Sequence, residues 1–411
     1  MITYERFTLA NGLRVLVHQD KSTPMAALNL LYDVGARDEA PDKTGFAHLF
    51  EHLMFGGSIN IPQFDLPLQR VGGESNAFTS NDITNYYITL PAINLETAFW
   101  LESDRMLSLA FSEKSLETQK QVVSEEFKQR YLNQPYGDVW LKLRPLAYQH
   151  HPYKWATIGK EISHIELASM QDVKAFFKKH YTPQNAILVI AGNVELNAVK
   201  DLAEKWFGPI PSGAKYVRDI SPEPAQLEAR RATVTANVPV NSFYMAFHMS
   251  DRRSKAYYSC DLISDVLSRG NSSRLFRRLV KEQSIFSEIN AYLLGSLDNG
   301  LFIVEGKPLP NITMEFAEEA IWDQLRDLKE TPVSDYELEK VKNKIESTMV
   351  FSEMSILDKA MNLAYFELLG NADLLNDEIT KYLSVSADDI QQTAQHIFRL
   401  ENSSTLFYLA G

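Results

Sequence analysis

The stretch that most constrains this 411-residue chain is His48-Leu49-Phe50-Glu51-His52. Residues 44–55 have the pattern of a helix, on which positions 48, 51 and 52 lie within an arc of about 100°. Two imidazoles one turn apart can bind one metal ion, and a carboxylate beside them can act on a metal-bound water. We therefore expect His48 and His52 to be metal ligands and Glu51 to be a catalytic base.

The order of these residues, H-x-x-E-H, is one of the zinc peptidase signatures. A motif match alone carries a false-positive risk, and the alternative is a helix with two ordinary histidines. With nine histidines in the whole chain, a chance match is uncommon. The rest of the sequence has to decide between the two interpretations.

A catalytic zinc site also needs a third protein ligand and an open position for water. The predicted helix 112–132 offers Glu117, Glu125 and Glu126 as candidates. Glu125 and Glu126 point about 100° apart on a helix. Their spacing does not choose between them.

Composition restricts the class of protein. Hydrophobic residues make up 45% of the chain and charged residues 23%, as in a soluble globular protein. No apolar run reaches 18 residues, so we expect no membrane span. The net charge of −12 argues against a nucleic-acid partner. The N-terminus lacks the pattern of a secretory signal, which predicts a cytoplasmic location, or a periplasmic one if a leader has been removed.

The length and a change in composition predict two domains. A chain of 411 residues is too long for one ordinary core. Residues 209–224 place several prolines, a serine and a glycine among charges, which is typical of a linker. We therefore predict an N-terminal domain at 1–213, a linker at 214–230 and a C-terminal domain at 231–411.

The two halves repeat one order of elements: hairpin, helix, strands and paired helices. In the second half the predicted elements are strands 231–237 and 242–248, helices 254–268 and 274–283, strands 286–294 and 300–306, and helices 311–329 and 333–352. This order predicts an α+β fold of two duplicated domains, each with an antiparallel-rich sheet flanked by helices. The helix that corresponds to the metal helix carries Tyr258 and Cys260 and no pair of histidines, so only the first half can hold this metal site.

Five segments together carry a family resemblance. They are Ala10–Val15, Gly45–Ser58, Gly72–Thr79 with Thr84–Tyr87, Val122–Arg130 with Asn133–Gly137, and His151–Tyr153 with Ile158–Gly159. By these segments the chain resembles the pitrilysin-type (M16) zinc metallopeptidases, and the resemblance extends over nearly the whole chain. It is most similar to the zinc-bearing subunit of the bacterial processing-peptidase-like members, which implies a LuxS/MPP-like fold.

The resemblance also implies roles for particular residues. His48, His52 and Glu126 would bind one Zn²⁺ per chain, and Glu51 would be the general base. Asn76, Ala77 and Phe78 would form an exposed strand edge to which an extended peptide substrate adds. An ordinary internal strand is the alternative for that segment.

Two positions depart from the family pattern. The position seven residues before Glu126, often a supporting Glu in the family, is Gln119. The region where the family places an Arg followed by a Tyr seven residues later has Lys281 and Glu288 instead. Lysine does not replace arginine in bidentate binding. We therefore expect a heterodimer with a homologous non-zinc subunit that supplies the Arg/Tyr pair, with a homodimer as the alternative.

The function predicted from these observations is zinc-dependent endopeptidase activity on short or unfolded peptides inside a closed chamber. Zinc and Glu51 would activate the attacking water. The alternatives are a presequence-type processing peptidase subunit and a non-catalytic scaffold of the same fold. The intact set of His48, Glu51, His52 and Glu126 favours an enzyme over a scaffold.

Overall fold

The computed structural model describes residues 1–411. Its strands are β1 Glu5–Thr8, β2 Arg14–Gln19, β3 Met25–Tyr32, β4 Glu74–Thr79, β5 Thr84–Pro91, β6 Ala186–Gly192, β7 Arg230–Ala236, β8 Ser242–His248, β9 Phe286–Leu294, β10 Leu301–Pro308 and β11 Ser403–Ala410. Its α-helices are α1 Phe46–Phe55, α2 Asp65–Arg70, α3 Leu95–Ser108, α4 Glu113–Phe127, α5 Val139–Ala147, α6 Ser163–Glu166, α7 Met170–His180, α8 Leu196–Trp206, α9 Ala256–Ser268, α10 Met314–Glu330, α11 Asp335–Ser352, α12 Ile356–Leu369, α13 Leu374–Ser384 and α14 Ala387–Ile397.

Two stretches form wider π-helical turns, at Lys128–Leu132 and Phe276–Glu282. The first continues α4, so the predicted helix 112–132 is present with a change of winding at its end. The second lies within the predicted helix 274–283. The other predicted elements of the second half are found within about three residues of their predicted bounds, which is the usual uncertainty for element ends.

The first sheet has six strands in the order β1-β2-β6-β3-β5-β4. Only β2 and β6 are parallel neighbours, and every other pair is antiparallel. Strand β6 is buried along its whole length, as expected for the apolar run Ala186–Gly192. Strand β4 pairs with β5 alone and is therefore an edge strand.

The second sheet has five strands in the order β7-β11-β8-β10-β9. Again one pair, β7 and β11, is parallel, and the others are antiparallel. The order and directions match those of β2-β6-β3-β5-β4 in the first sheet. The predicted α+β fold with two antiparallel-rich sheets and flanking helices is confirmed.

The chain divides into two compact units that are discontinuous in sequence. The first unit is Met1–Lys128, Trp155–Asp219 and Val350–Asp377, and the second is Gln129–Lys154, Ile220–Met349 and Glu378–Gly411. Each unit therefore includes a helix from the other half of the sequence, α12 in the first and α5 in the second. One of the points at which the chain passes from one unit to the other, between residues 219 and 220, lies inside the predicted linker 214–230.

The first unit buries one face of its sheet under α12. Ala360, Leu363 and Ala364 of this helix pack in a core with strand residues such as Leu31 and Val189, all fully or almost fully buried. Burial of a large aliphatic side chain stabilises a fold by about 1.5–3 kcal/mol. The helix is therefore an integral part of the first unit despite its distance in sequence.

The second unit packs α5 in the corresponding way. Val139, Leu143 and Ala147 lie in one buried core with sheet residues that include Ile303 and Leu406. The opposite face of this sheet forms a larger core with α9, α10, α11 and α14. No helix of either unit combines the length and the apolar character needed to cross a bilayer.

Candidate metal centre

Helix α1 carries the H-x-x-E-H stretch and begins at a buried carboxylate. Gly45 precedes the helix with φ of 88°, and a side chain there would lie 2.6 Å from the carbonyl oxygen of Ile158. Glu39 accepts hydrogen bonds from the amides of Gly45 and Ala47, both of 2.8 Å. Glu39 therefore satisfies two of the backbone amides at the start of the helix, which have no partner within the helix itself.

Burial sets the electrostatics of this carboxylate. Glu39 is 6% exposed, and burial raises the pKa of its carboxyl well above the ordinary value. The hydrogen bonds that it accepts from the backbone amides of Ala47 and Gly45 oppose the rise. The indole of Trp155 donates to the carbonyl of Ala36, 2.8 Å away, in the same loop. The loop that begins α1 is thus fixed by buried polar contacts.

The apolar side of α1 fixes its rotation. Leu49 and Phe50 are fully buried, and the Phe50 ring stacks on Phe176 and Tyr181 with centroids 5.1 and 5.0 Å apart. His48 and His52 lie on the other side of the helix, 13% and 25% exposed, with ring centroids 4.8 Å apart. The amphipathic pattern of the helix therefore directs both imidazoles away from the core.

Glu126 of α4 completes the cluster. Its Oε2 lies 3.6 Å from Nε2 of His48 and 3.3 Å from Nε2 of His52. One donor atom from each of the three side chains lies within 4.8 Å of the others. Glu125, in contrast, is 61% exposed and pairs with Lys128 at 2.7 Å. The geometry thus brings Glu126, and not Glu125, to the histidines.

The donor set fits zinc. Bonds of about 2.0–2.2 Å at tetrahedral angles place neighbouring donor atoms about 3.3–3.6 Å apart. The two distances from Glu126 Oε2 fall in that range. Two imidazoles and one carboxylate are also a ligand set of catalytic zinc sites, which keep one position open. These three residues could therefore hold zinc without rearrangement of the backbone.

Glu51 is fixed by a residue of the edge strand. The hydroxyl of Thr79, the last residue of β4, donates a 2.6 Å hydrogen bond to Oε2 of Glu51. Behind it, burial raises the pKa of Tyr86, and the charge of Glu51 contributes to that rise. The base candidate thus lies between the metal-binding side chains of its own helix and the end of β4.

Sequence reasoning assigned no role to Thr79 or Glu39. Thr79 belongs to the segment Gly72–Thr79 that carries part of the family resemblance, but nothing in its spacing indicates a contact with Glu51. Glu39 lies six residues before Gly45 in a polar loop, where no periodic pattern applies. Both contacts depend on the path of a loop or a sheet edge, which a single sequence does not specify.

The remaining predicted site residues are placed as follows. Asn76, Ala77 and Phe78 lie in β4, at the free edge of the first sheet. Gln119 is half-buried on α4, two turns before Glu126. Lys281 is exposed in the π-helical turns of the second unit, 5.4 Å from the ring of Phe276. Their predicted roles stay predictions.

Comparison with known proteins gives the same family for both halves of the chain. Residues 14–160 match the model for insulinase (peptidase family M16), and residues 168–345 match the model for the peptidase M16 inactive domain. The zinc protease PqqE of Helicobacter pylori is 30% identical, over 98% of this chain and 92% of that protein. The zinc protease YmxG of Bacillus subtilis is 25% identical, over 99% of this chain and 98% of that protein.

A solved structure agrees in fold. The crystal structure of a protease from Helicobacter pylori superimposes with a TM-score of 0.94 at 30% identity and covers 99% of this chain and 100% of that one. The two family models together match well over half of the chain, and the half described as inactive is the one without the histidine pair. The chain therefore belongs to the pitrilysin-type peptidase family M16, as its sequence motifs predicted.

Proposed function

We propose that this protein is a zinc-dependent endopeptidase that hydrolyses short or unfolded peptides. The observation that carries the proposal is the convergence of His48, His52 and Glu126, with Glu51 on the same helix and hydrogen-bonded to Thr79. If this helix only supported the fold, two imidazoles and a carboxylate this close together would be expected to be fully buried, and these three are not. The relatives named as zinc proteases support the same activity.

The side chains divide the chemistry between them. When bound, zinc supplies a Lewis acid that polarises the scissile carbonyl and lowers the pKa of water to about 7. Glu51 accepts the proton of the attacking water and returns it to the leaving amine. The Thr79 hydroxyl holds Glu51 Oε2 at 2.6 Å and so restricts rotation of the carboxylate. His48, His52 and Glu126 act as ligands.

The free edge of β4 is a suitable place for the substrate. The amide of Ala77 does not donate to β5 but to Oδ1 of Asn76, 2.8 Å away, so this amide faces the open edge. An extended peptide could replace that side chain and add a strand through its own backbone. Because β4 ends at Thr79, which contacts Glu51, such a strand would run towards the catalytic base. Backbone pairing would make few demands on substrate sequence.

Full activity is proposed to need a second subunit. Glu288, at the position of the family's Tyr, forms an ion pair with Lys307 at 3.1 Å, and Lys281 takes the position of the Arg. Neither can donate the pair of hydrogen bonds that an arginine offers to a carbonyl or carboxylate. A homologous non-zinc chain with Arg and Tyr would complete a closed chamber, with a homodimer as the alternative. A presequence-type processing role and a non-catalytic scaffold remain the competing functions.

Replacement of Glu51 by Gln separates these possibilities. Glutamine keeps the shape of the side chain but cannot accept the proton, so E51Q should retain one zinc per chain and lose peptide cleavage by about 100- to 10,000-fold. Metal content by mass spectrometry and cleavage of a quenched fluorescent peptide, with and without candidate partner chains, measure the two effects. Wild-type turnover in E51Q would exclude the assigned base. No cleavage by the wild-type protein with any partner would favour the scaffold.

A further inference from the structure

An arginine of the predicted linker binds two carboxylates of the first unit. Arg218 lies in this linker, and the first unit extends to residue 219. Its guanidinium donates from Nη1 and Nη2 to the two oxygens of Asp33, at 2.8 and 2.7 Å. It also donates from Nε and Nη2 to the two oxygens of Asp38, at 2.7 and 3.2 Å. Such bidentate pairs fix the geometry of both partners, so this part of the linker is held against the 33–39 loop.

Burial makes this arginine important for the charge balance of the loop. The side chain of Asp38 has no exposed surface, and those of Asp33 and Arg218 are 22% and 23% exposed. The guanidinium of Arg37 lies 3.2 Å from Asp82 and 3.9 Å from Asp33, so two arginines face three aspartates. A buried charge that loses its partner costs free energy. Without Arg218, we therefore expect the loop to change its conformation.

Glu39, the residue after Asp38, connects the loop to the metal helix. Its carboxyl group accepts hydrogen bonds of 2.8 Å from the amides of Gly45 and Ala47 at the start of α1. His48 directly follows Ala47 in that helix. A displacement of Asp38 would therefore move Glu39 and, with it, the first turn of α1.

The loop also binds the turn that follows β4. The amide of Ala36 donates to the carbonyl of Ser80 at 3.1 Å, and the amide of Arg37 donates to the carbonyl of the next residue at 2.9 Å. Ser80 directly follows Thr79, whose hydroxyl donates to Glu51. The loop thus contacts the elements on both sides of the Thr79–Glu51 hydrogen bond.

We infer that Arg218 is a positioning residue of the metal centre and acts through the 33–39 loop. By holding this loop, it fixes the start of α1, which carries both histidines and Glu51, and also the turn next to Thr79. The inference rests on the proposed peptidase function, because it concerns the alignment of Glu51 with Thr79 and with the metal ligands. A change in the linker, outside the metal-binding helices, should therefore alter both metal binding and turnover.

Substitutions of Arg218 in the full-length protein test this inference. R218Q should bind zinc about tenfold more weakly than the wild type, as is typical for groups that orient metal ligands. It should also lower kcat for a quenched fluorescent peptide about tenfold with little change in KM, because the β4 edge that would bind the peptide is retained. Cobalt in place of zinc gives visible absorption bands that depend on ligand geometry, and these should shift in R218Q. R218K keeps the charge but cannot form both bidentate pairs, so it should show smaller changes in the same direction.

The matched control is K359Q, which removes another partly buried ion pair of the first unit. Lys359 of α12 lies 2.8 Å from Asp20, and their side chains are 12% and 17% exposed. K359Q should lower the thermal unfolding temperature, as R218Q does, but its zinc affinity, kcat and cobalt spectrum should stay as in the wild type. A role of Arg218 in stability alone would give this same pattern in R218Q, and that result would overturn the inference.

The wild-type protein separates this inference from the proposed function. If it binds zinc but cleaves no peptide, the proposed function is wrong, and zinc affinity and the cobalt spectrum still decide the role of Arg218. If it binds no zinc, both are wrong. If circular dichroism shows that R218Q does not fold, R218K is the deciding variant, and wild-type values in R218K would overturn the inference.

Discussion

Helices α1 and α9 have the same place in the chain order of the two units. Each follows an inner strand of its sheet, β3 or β8, and precedes the edge strand, β4 or β9. The polar residues of α1 converge on Glu126 of a second helix. Those of α9 instead form hydrogen bonds with α13: Tyr258 donates to Glu378 at 2.8 Å, and Asp261 accepts from Tyr382 at 2.6 Å. The comparison teaches that the duplicated sheet does not determine the chemistry, which depends on a few helix positions.

The first turns of these two helices differ in the same way. In α1 the carboxylate of Glu39 satisfies the amides of Gly45 and Ala47. In α9 the hydroxyl of Ser254 accepts a 3.3 Å hydrogen bond from the amide of Ala256, the first residue of the helix. A buried carboxyl group therefore accepts at the start of one helix, and a serine hydroxyl accepts at the start of the other.

A shared turn shows that the two units nevertheless correspond in detail. The side chain of Asn185 donates to the carbonyl of His180, five residues earlier, at 2.9 Å. Asn402 donates to the carbonyl of Ile397, also five residues earlier, at 2.8 Å. Each turn leads from a helix into the strand that has one parallel neighbour. His180 in the first unit thus corresponds to Ile397 in the second.

The strongest test of the contrast between α1 and α9 is to replace two adjacent glutamates of α4 one at a time. E126Q should weaken zinc binding by more than about 100-fold, because a neutral amide is a poor zinc ligand. E125Q is the matched control, since Glu125 contacts only Lys128 at the surface, and it should bind zinc as the wild type does. Competition with a chromogenic chelator measures both affinities. Equal effects in the two variants would mean that α4 does not supply the third ligand.

Glu39 tests whether the start of α1 positions the metal ligands. E39Q leaves one of the two amide donors facing an NH₂ group, which should lower the free energy of unfolding by about 1–3 kcal/mol. Zinc affinity should fall by about tenfold, as for other groups that orient ligands. Urea titration and chelator competition measure the two quantities. E117Q, on the exposed face of α4, is the control, and the same zinc affinity in E39Q and E117Q would show that Glu39 only stabilises the fold.

These two predictions also show where sequence reasoning is sufficient. The metal helix and the alternating strands follow from local periodicity, and so does the position of His48, Glu51 and His52 on one face. The choice of Glu126 over Glu125 needed the family resemblance, and Glu126 is the glutamate that lies beside the two histidines in the structure. The packing of α12 on the first sheet depends on contacts between segments that are distant in sequence, such as those of α12 with β3, which no local pattern encodes.

The His180 position offers a pH-dependent test. His180 is fully buried, and neither ring nitrogen forms a hydrogen bond. Burial, with smaller effects of Lys179 and Arg218, lowers its pKa from 6.5 to about 3. As the pH falls below about 6.5, the unfolded chain therefore binds a proton that the folded chain does not. Stability should fall between pH 6.5 and 3, by about 2 kcal/mol at pH 5 from this group.

Replacement of His180 by Ile, the residue of the corresponding turn, should remove this loss. Urea titrations of H180I at pH 7 and pH 5 should differ by about 2 kcal/mol less than those of the wild type. H396Q removes an exposed histidine from α14 and should keep the wild-type difference. An unchanged difference in H180I would show that His180 takes up a proton in the folded state.

The smallest expected effect concerns Gln119, where the family often has a Glu. Residues seven apart on a helix lie on one face, about 10 Å apart along its axis. Over that distance a charge is largely screened by salt, so Q119E should raise zinc affinity only about two- to fivefold. T118E adds the same charge to an exposed neighbouring position of α4, turned away by about 100°, and should have no effect. Chelator competition compares the two variants. A tenfold or greater gain in Q119E alone would mean that position 119 contacts the metal or one of its ligands, and that the metal helix of the first unit relies on α4 for more than Glu126.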